Sequence, residues 1–384
     1  MKKLWKEKAL GEVCEIKTGK KDVNQGNPNG KYPFFTCAKE HTHSDEFSFN
    51  TEALLIAGNG DVGAVSYYKG KFEAYQRTYV LSNFIDISPR FLFFILDGYL
   101  KQAVSKQKLG NTMPYIKMGM LADFKIPFPP IFEQKRIVVV LSKAFGALAK
   151  AKENAEKNLQ STRELFEAYL QSVFSNPKDN WEMKKWGELC HFVRGPFGGS
   201  LKKSIFKKQG YVVYEQQHAI HNHFGNLRYF IDKTKFNEMK RFELRSGDII
   251  MSCSGVTLGR VAIVPDNIRK GIINQALLKL TPVKGVSVHF LKHWLRSKIF
   301  QDIITKYSKG AAIPNVPSAK ILKDINIPLP STKEQNEIVN NIELVSNEIK
   351  KLENIYQKKI ENLDELKKSI LQKAFNGELA GARS

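Results

Sequence analysis

Several residue groups in this chain have the types, and nearly the spacing, that chemistry requires. Gly58-Asn-Gly-Asp-Val-Gly63 follows an apolar run. Its G-x-G-x-x-G spacing would let the backbone approach a dinucleotide pyrophosphate, but that use needs a helix next. Ala64-Val-Ser-Tyr-Tyr68 is strand-like, so a tight turn is expected. Phe128-Pro-Pro-Ile131 lacks the asparagine with which an Asn-Pro-Pro-aromatic segment holds a base amino group. Gly195-Pro-Phe-Gly-Gly-Ser-Leu-Lys-Lys-Ser204 lacks the spacing of a phosphate-binding P-loop. His218, His221 and His223, or His289 and His293 four apart, could ligate a metal. No cysteine or carboxylate completes a spaced set, so no metal site is expected. No carboxylate cluster with a nuclease's lysine is readable. The expectation is a binder with no catalysis of its own.

Binding chemistry is better represented. Reading base edges needs Arg, Lys, Asn and Gln near glycine-rich loops, and holding phosphates needs Lys and Arg. In the first part of the chain, the loop Lys20-Lys-Asp-Val-Asn-Gln-Gly-Asn27 offers Lys20, Lys21 and Asn27. Asn59, Gln76, Arg77, Lys108 and Asn111 join them. Arg77 stands between Tyr75 and Tyr79 and is the foremost candidate there. In the second part, Lys202, Lys203, Lys207 and Lys208 form the densest basic run and suit phosphates. Gln216, Gln217 and His218 suit bases; Arg260, Asn274, Gln275 and Lys309 complete the set. The same residue types are also ordinary loop surface.

Charge supports a polyanionic partner. The 384 residues carry 60 Lys+Arg and 38 Asp+Glu, a net +22. Residues 1–127 hold 18 basic and 13 acidic side chains, +5; residues 176–327 hold 26 and 11, +15. Residues 128–175 carry +2, and residues 328–384, with 9 of each sign, carry none. Charge confined to two blocks is what phosphate binding by counterion release would select. No stretch is apolar for long enough to span a bilayer, and the basic start leads into no apolar signal region, so a cytoplasmic protein is expected. Cys14, Cys37, Cys190 and Cys253 are scattered, which fits free thiols in a reducing compartment.

The elements that must position these residues are written twice. Trp5, Lys8, Gly11, Glu12, Cys14 and Gly19 match Trp181, Lys184, Gly187, Glu188, Cys190 and Gly195 without a gap. Gly110-Asn-Thr-Met-Pro114 then matches Gly310-Ala-Ala-Ile-Pro314, and Ile126-Pro-Phe-Pro129 matches Ile327-Pro-Leu-Pro330. Glu133-Gln134 meets Glu334-Gln335, and Leu170-Gln-Ser-Val-Phe174 meets Leu371-Gln-Lys-Ala-Phe375. Between these landmarks the copies differ strongly: the framework repeats and the filling does not.

After each Pro-x-Pro comes a long helix. Ile137, Leu141, Ala144, Leu148, Ala151 and Ala155, onward to Leu165 and Tyr169, form a coiled-coil seam. Ile338, Ile342, Val345, Ile349, Leu352, Tyr356, Leu363, Leu366 and Ile370 form the second. Asn158 and Lys359 interrupt the seams; Asn176-Pro177 stops one helix and Asn376-Gly377 caps the other. The fold class expected is α+β. Two similar α/β domains, at 1–130 and 177–330, are separated by antiparallel spacer helices at 131–176 and 331–384, with pseudo-two-fold symmetry. Glu52–Ala57 and Asp248–Met251 should be buried strands. Ser88-Pro89 should open a helix through Leu100, with its counterpart a helix over His289–Ile304.

This plan resembles the specificity subunits of type I restriction–modification systems. Ser369-Ile-Leu-Gln-Lys-Ala-Phe-Asn-Gly-Glu-Leu379 is similar to the tail of many of them, as are Ala53–Gly63 and Gly247–Gly255 within the recognition regions. The resemblance implies that each domain reads one half of a split DNA site. It implies that the helices fix the gap and dock two methyltransferase (modification) subunits, which restriction/translocase subunits then join. It assigns S-adenosylmethionine, ATP and Mg²⁺ to those partners. The alternatives are an RNA-binding or scaffold protein built on the coiled coil, a chain carrying its own methyltransferase or nuclease activity, or the specificity subunit of an enzyme whose nuclease and methyltransferase are fused.

Overall fold

The computed structural model describes residues 5–105, 114–197, 199–308 and 315–378. The chain forms two compact units: residues 1–156 with 357–384, and residues 157–356.

The first unit contains strands β1 (Lys6–Ala9), β2 (Glu15–Thr18), β3 (Tyr32–Phe35), β4 (Thr42–Ser44), β5 (Phe49–Ala57), β6 (Val65–Ala74), β7 (Thr78–Ser82) and β8 (Lys125–Phe128). Helices α1 (Pro89–Ser105) and α2 (Met118–Ala122) precede the long α3 (Ile131–Ser175). Six strands form one sheet in the order β2-β7-β5-β6-β3-β4, and β1 pairs with β8. Leu54, Ile56 and Leu81 from the sheet meet Phe91, Leu92 and Leu96 of α1 in the main core.

The second unit contains β9 (Glu182–Lys185), α4 (Trp186–Leu189), β10 (Cys190–Arg194), β11 (Tyr211–Tyr214), α5 (Gln216–His221), β12 (Phe230–Ile231), α6 (Lys233–Glu238), β13 (Ile249–Ser252), β14 (Val261–Ile263), β15 (Gly271–Ile273) and β16 (Leu277–Pro282). It continues through α7 (Val288–Arg296), α8 (Lys298–Ser308), α9 (Ala319–Lys323), β17 (Asn326–Leu329) and the long α10 (Thr332–Phe375). Its sheets run β10-β16-β13-β14 and β12-β11-β15, with β9 paired to β17.

The repeat is structural. The first and last strands of each domain pair in the same register, Lys6 opposite Phe128 and Glu182 opposite Leu329. Both expected strands form: Glu52–Ala57 lies within β5, buried from Ala53 on, and the second is β13, which starts one residue later than expected, at Ile249. The glutamine of each Pro-x-Pro-x-x-x-x-Gln stretch is a buried clamp. Gln134 accepts from Ser88 N–H (2.7 Å) and donates to the Asp86 and Pro129 carbonyls (3.1 and 2.9 Å). Gln335 accepts from Ser287 N–H (2.7 Å) and donates to the Gly285 and Pro330 carbonyls (3.2 and 2.9 Å). Each amide thus ties the start of a long helix to the start of α1 or α7.

The long helices serve both units. In the first, Lys152 pairs with Asp364 (2.7 Å), Phe145 lies against Lys367, and Leu371 and Ala374 enter the core beside Phe91. In the second, Arg163 pairs with Glu353 (3.0 Å), and Leu170 and Phe174 enter the core with Val339 and Ile342. Residue numbers rise along one helix as they fall along the other, so the pairing is antiparallel.

Two expectations need correction. The seam does not pass through Leu165, Leu352 or Leu366, which are 60%, 40% and 47% exposed. Past Ala155, buried Thr162 and half-buried Phe166 hold the seam instead. Thr162 can lie there because its hydroxyl donates to the Asn158 carbonyl one turn back (2.7 Å). The helix over His289–Ile304 is also two helices, α7 and α8. They break at Ser297, whose extended backbone (φ −62°, ψ 150°) ends α7. Its hydroxyl donates to the Trp294 carbonyl (2.7 Å), competing locally with the helical ladder.

Candidate nucleic-acid interface

The candidate residues of the first domain lie on segments joined by backbone hydrogen bonds. Gln76 N–H donates to the Lys21 carbonyl (3.0 Å), and Gly58 N–H donates to the Arg77 carbonyl (2.9 Å). Ile116 N–H donates to the Gly58 carbonyl (3.0 Å), beside a bridge between Asn59 and Tyr115. The Gly58–Gly63 turn closes through Gly63 N–H on the Ala57 carbonyl (2.8 Å) and leads into β6, as a strand-to-strand turn should. Gly19 completes the cradle: a Cβ there would lie 1.9 Å from the Ala74 carbonyl oxygen, so only glycine permits this approach.

The second domain builds the same cradle. A Cβ on Gly195 would lie 1.8 Å from the Asn274 carbonyl oxygen. Cys253 N–H donates to the Ala276 carbonyl, and Val316 N–H to the Cys253 carbonyl (both 2.9 Å). Ser254 bridges to Asn315, and Gly259 N–H closes the turn on the Ser252 carbonyl (2.9 Å). The frames correspond segment by segment, but their side chains do not. Gln76 and Arg77 on one turn correspond to Gln275 and Ala276 on the other, and Asn59 corresponds to Ser254.

The cradles therefore gather Lys20, Lys21, Asn59, Gln76 and Arg77 in one domain, and Gln216, Arg260, Asn274 and Gln275 in the other. Lys20, Gln76, Arg77, Arg260 and Gln275 are exposed. Lys202, Lys203, Lys207 and Lys208 are exposed too, on a segment that Leu201, Ile205 and Phe206 anchor to the core under β11, β12 and β15. Lys108, Asn111 and Lys309 lie outside the described residues.

Several candidates are occupied in ways the sequence did not indicate, among them Gln217, whose amide donates to Glu215 (3.0 Å) and accepts from Asn226 (3.1 Å), and Gln76, whose amide donates to Asp22 (3.2 Å). Lys21 is half-buried, 2.9 Å from Glu46 and 3.8 Å from the fully buried Glu73. The hydrogen bond to Glu46 holds its pKa above the usual lysine value. Its charge thus serves these carboxylates before any phosphate. Asn27 belongs to a turn against β4, with its amide on Asp45 (3.1 Å) and its N–H on the His43 carbonyl (2.8 Å). His218 is 1% exposed. Its Nδ1 accepts from Glu215 N–H (2.9 Å) and its Nε2 lies 3.1 Å from the Asn226 carbonyl, so it ties down a loop and has no nitrogen left for a base. Gln216 donates to the Ser252 hydroxyl and the Ser254 carbonyl, which makes it a positioning residue for the glycine turn.

Sequence reading passed over Arg194, one residue before Gly195, whose Nη2 donates to Asn315 Oδ1 (3.1 Å). Its place directly before the glycine of the cradle was the available signal. Among the described residues no group of three or more His, Cys, Asp or Glu could hold a metal ion, and no helix is long and apolar enough to cross a membrane. All four cysteines are free and buried; burial pushes Cys14, Cys190 and Cys253 up to about 12.

The fold and its doubled cradle define a tandem recognition protein: two similar mixed α/β domains, each followed by a long helix. The family model of the type I restriction modification DNA specificity domain matches residues 2–157 and again 178–362. The chain belongs to that family, and DNA sequence specificity is its function. It is 27% identical over 407 residues to the type I restriction enzyme EcoDI specificity subunit of Escherichia coli, covering 98% of this chain and 88% of that one. It is 26% identical to the MjaVIII specificity subunit of Methanocaldococcus jannaschii over 75% of this chain and 70% of the other. Among solved structures, a chain from work on complex assembly and conformational transition of the type I R-M system superposes with a TM-score of 0.78 at 18% identity, covering 98% of each. The HsdS subunit of Thermoanaerobacter tengcongensis gives 0.58 at 18% identity, over 98% of this chain and 97% of that one. These two likenesses concern the fold.

Proposed function

We propose that this chain selects a split, non-palindromic sequence in duplex DNA, each recognition domain reading one half. The observation that carries this reading is the cradle built twice with different exposed side chains. Equivalent frames would approach two half-sites alike, while unlike side chains would require unlike bases. The exposed basic run Lys202, Lys203, Lys207 and Lys208 would hold phosphates beside the second half-site. The paired helices would set the gap between half-sites and dock two modification subunits, with restriction/translocase subunits joining that core. Adenine methylation and cleavage would belong to those partners, as would S-adenosylmethionine, ATP and Mg²⁺; this chain contributes recognition and no catalysis.

The test is a map of methylated adenines in the host genome with and without the gene. Loss of a single split, non-palindromic motif on deletion is expected and would reveal the sequence read. A map unchanged by deletion, from cells in which the modification subunits are present and active, would overturn the reading.

A further inference from the structure

Arg194 sits at the junction of three segments of the second cradle. It ends β10 directly before Gly195, whose backbone packs on Asn274. Its Nη2 donates to Asn315 Oδ1 (3.1 Å), its guanidinium lies beside the Cys253 thiol, and its Nε is buried without an acceptor. Asn315 is itself bridged to Ser254 in the glycine turn. A guanidinium has five N–H donors, and Asn315 takes only one. The side chain is thus fixed in direction while keeping donors to spare, the preorganisation that a base-reading group requires.

The first cradle has Thr18 where the second has Arg194, and the second has Ala276 where the first has Arg77. The second cradle therefore carries Arg194 at a strand end as well as Arg260 on its glycine turn, and the first carries Arg77, each delivered by a different segment. Arginine in a bidentate pair with guanine is the commonest specific contact in the major groove.

We infer that Arg194 is a specificity-determining residue of the second domain that reads a guanine. The guanine would lie at a different place in its half-site from the base that Arg77 reads in the other. This rests on the reading of the cradles as base-contacting surfaces. The position within each half-site follows from which strand end supplies the arginine, so the two half-sites should not share a guanine at pseudo-symmetric positions.

The experiment uses the full chain assembled with its modification subunits, bound to a duplex library randomised through both half-sites. Wild type is compared with Arg194→Lys, which keeps the charge but not the fork, and with Asn315→Ala, which removes the group that aims it. Both variants should lose discrimination at one shared guanine of one half-site, by roughly 5- to 150-fold for the lysine variant. The other half-site should be read as before. Uniform weakening on all sequences, or an unchanged preference profile, would overturn the inference while leaving the split-site reading intact. A wild-type complex with no split-site preference would overturn the split-site reading and the inference with it.

Discussion

At the scale of single residues, what decides a role is which hydrogen-bonding groups are already taken. Arg77 is exposed at the β6–β7 turn, its backbone carbonyl fixed by Gly58 N–H and its side chain outside the core. Arg77→Ala should relax recognition at one position of one half-site, a loss of about 1–3 kcal/mol of discrimination. Binding measured across single-base variants would show it; equal weakening on every sequence would make Arg77 a phosphate contact. His293 illustrates the opposite case. Burial first, then the nearby charges of Lys292, Arg296 and His289, push its pKa down to about 3. The unfolded chain binds that proton near pH 6.5, so the folded state loses relative stability as pH falls from about 6.5 toward 3. Phe94 holds the equivalent place on α1, packed on Phe145 (ring centroids 5.5 Å apart). His293→Phe should therefore flatten the acid side of the stability curve. Denaturation at several pH values between 7.5 and 5 would show the variant gaining on wild type as pH falls, and parallel curves would contradict the assignment. Arg77 stood out in the sequence, whereas the occupancies of His218 and Gln216 did not. His218 and Gln216 looked free in sequence because their partners, Asn226 and Ser252, are fixed only by tertiary folding.

At the scale of elements, the long helices were the most legible part, because proline-bounded runs with a repeating apolar seam admit few other structures. The details that failed depend on local competition. Thr162 displaces the more apolar Leu165 because its hydroxyl finds a backbone acceptor, and Ser297 breaks a run containing neither Pro nor Gly. The different sheets of the two domains were not legible either, since strands of three to five residues give too short a pattern. The junctions between helix and domain rest on Gln134 and Gln335. Replacing either with leucine would leave one N–H and two carbonyls without their partner, of which the Pro129 or Pro330 carbonyl is buried and the Ser88 or Ser287 N–H half-buried. At about 1–3 kcal/mol for an unsatisfied buried group, each variant should lose roughly 2–4 kcal/mol of stability. Hydrogen exchange should localise the loss to α1 for Gln134→Leu and to α7 for Gln335→Leu. Protection unchanged at both helices would mean the clamps are incidental.

At the scale of the whole molecule, the helix pair has a charge pattern that selects its own partner. Lys152 and Arg163 lie on α3, while their respective partners Asp364 and Glu353 lie on α10. An α3–α3 pairing between two copies would set Lys152 against Arg163, and an α10–α10 pairing would set Glu353 against Asp364. Exposed pairs stabilise by only about 0–1 kcal/mol each, so their effect is to choose the partner rather than to hold it. The repeat places the centre of the pairing near Lys157 and Lys358. A heptad inserted after each of these two residues would preserve both ion pairs and the seam, while lengthening each helix by about 10 Å. On duplex DNA at about 3.4 Å per base pair, the preferred gap between half-sites should grow by roughly three base pairs. Affinity should fall, because three base pairs also rotate one half-site by nearly a third of a helical turn. Selection of bound duplexes from a library with gaps of every length would read the new spacing directly. A preferred gap unchanged by the insertion would remove the helices from any role in measuring distance.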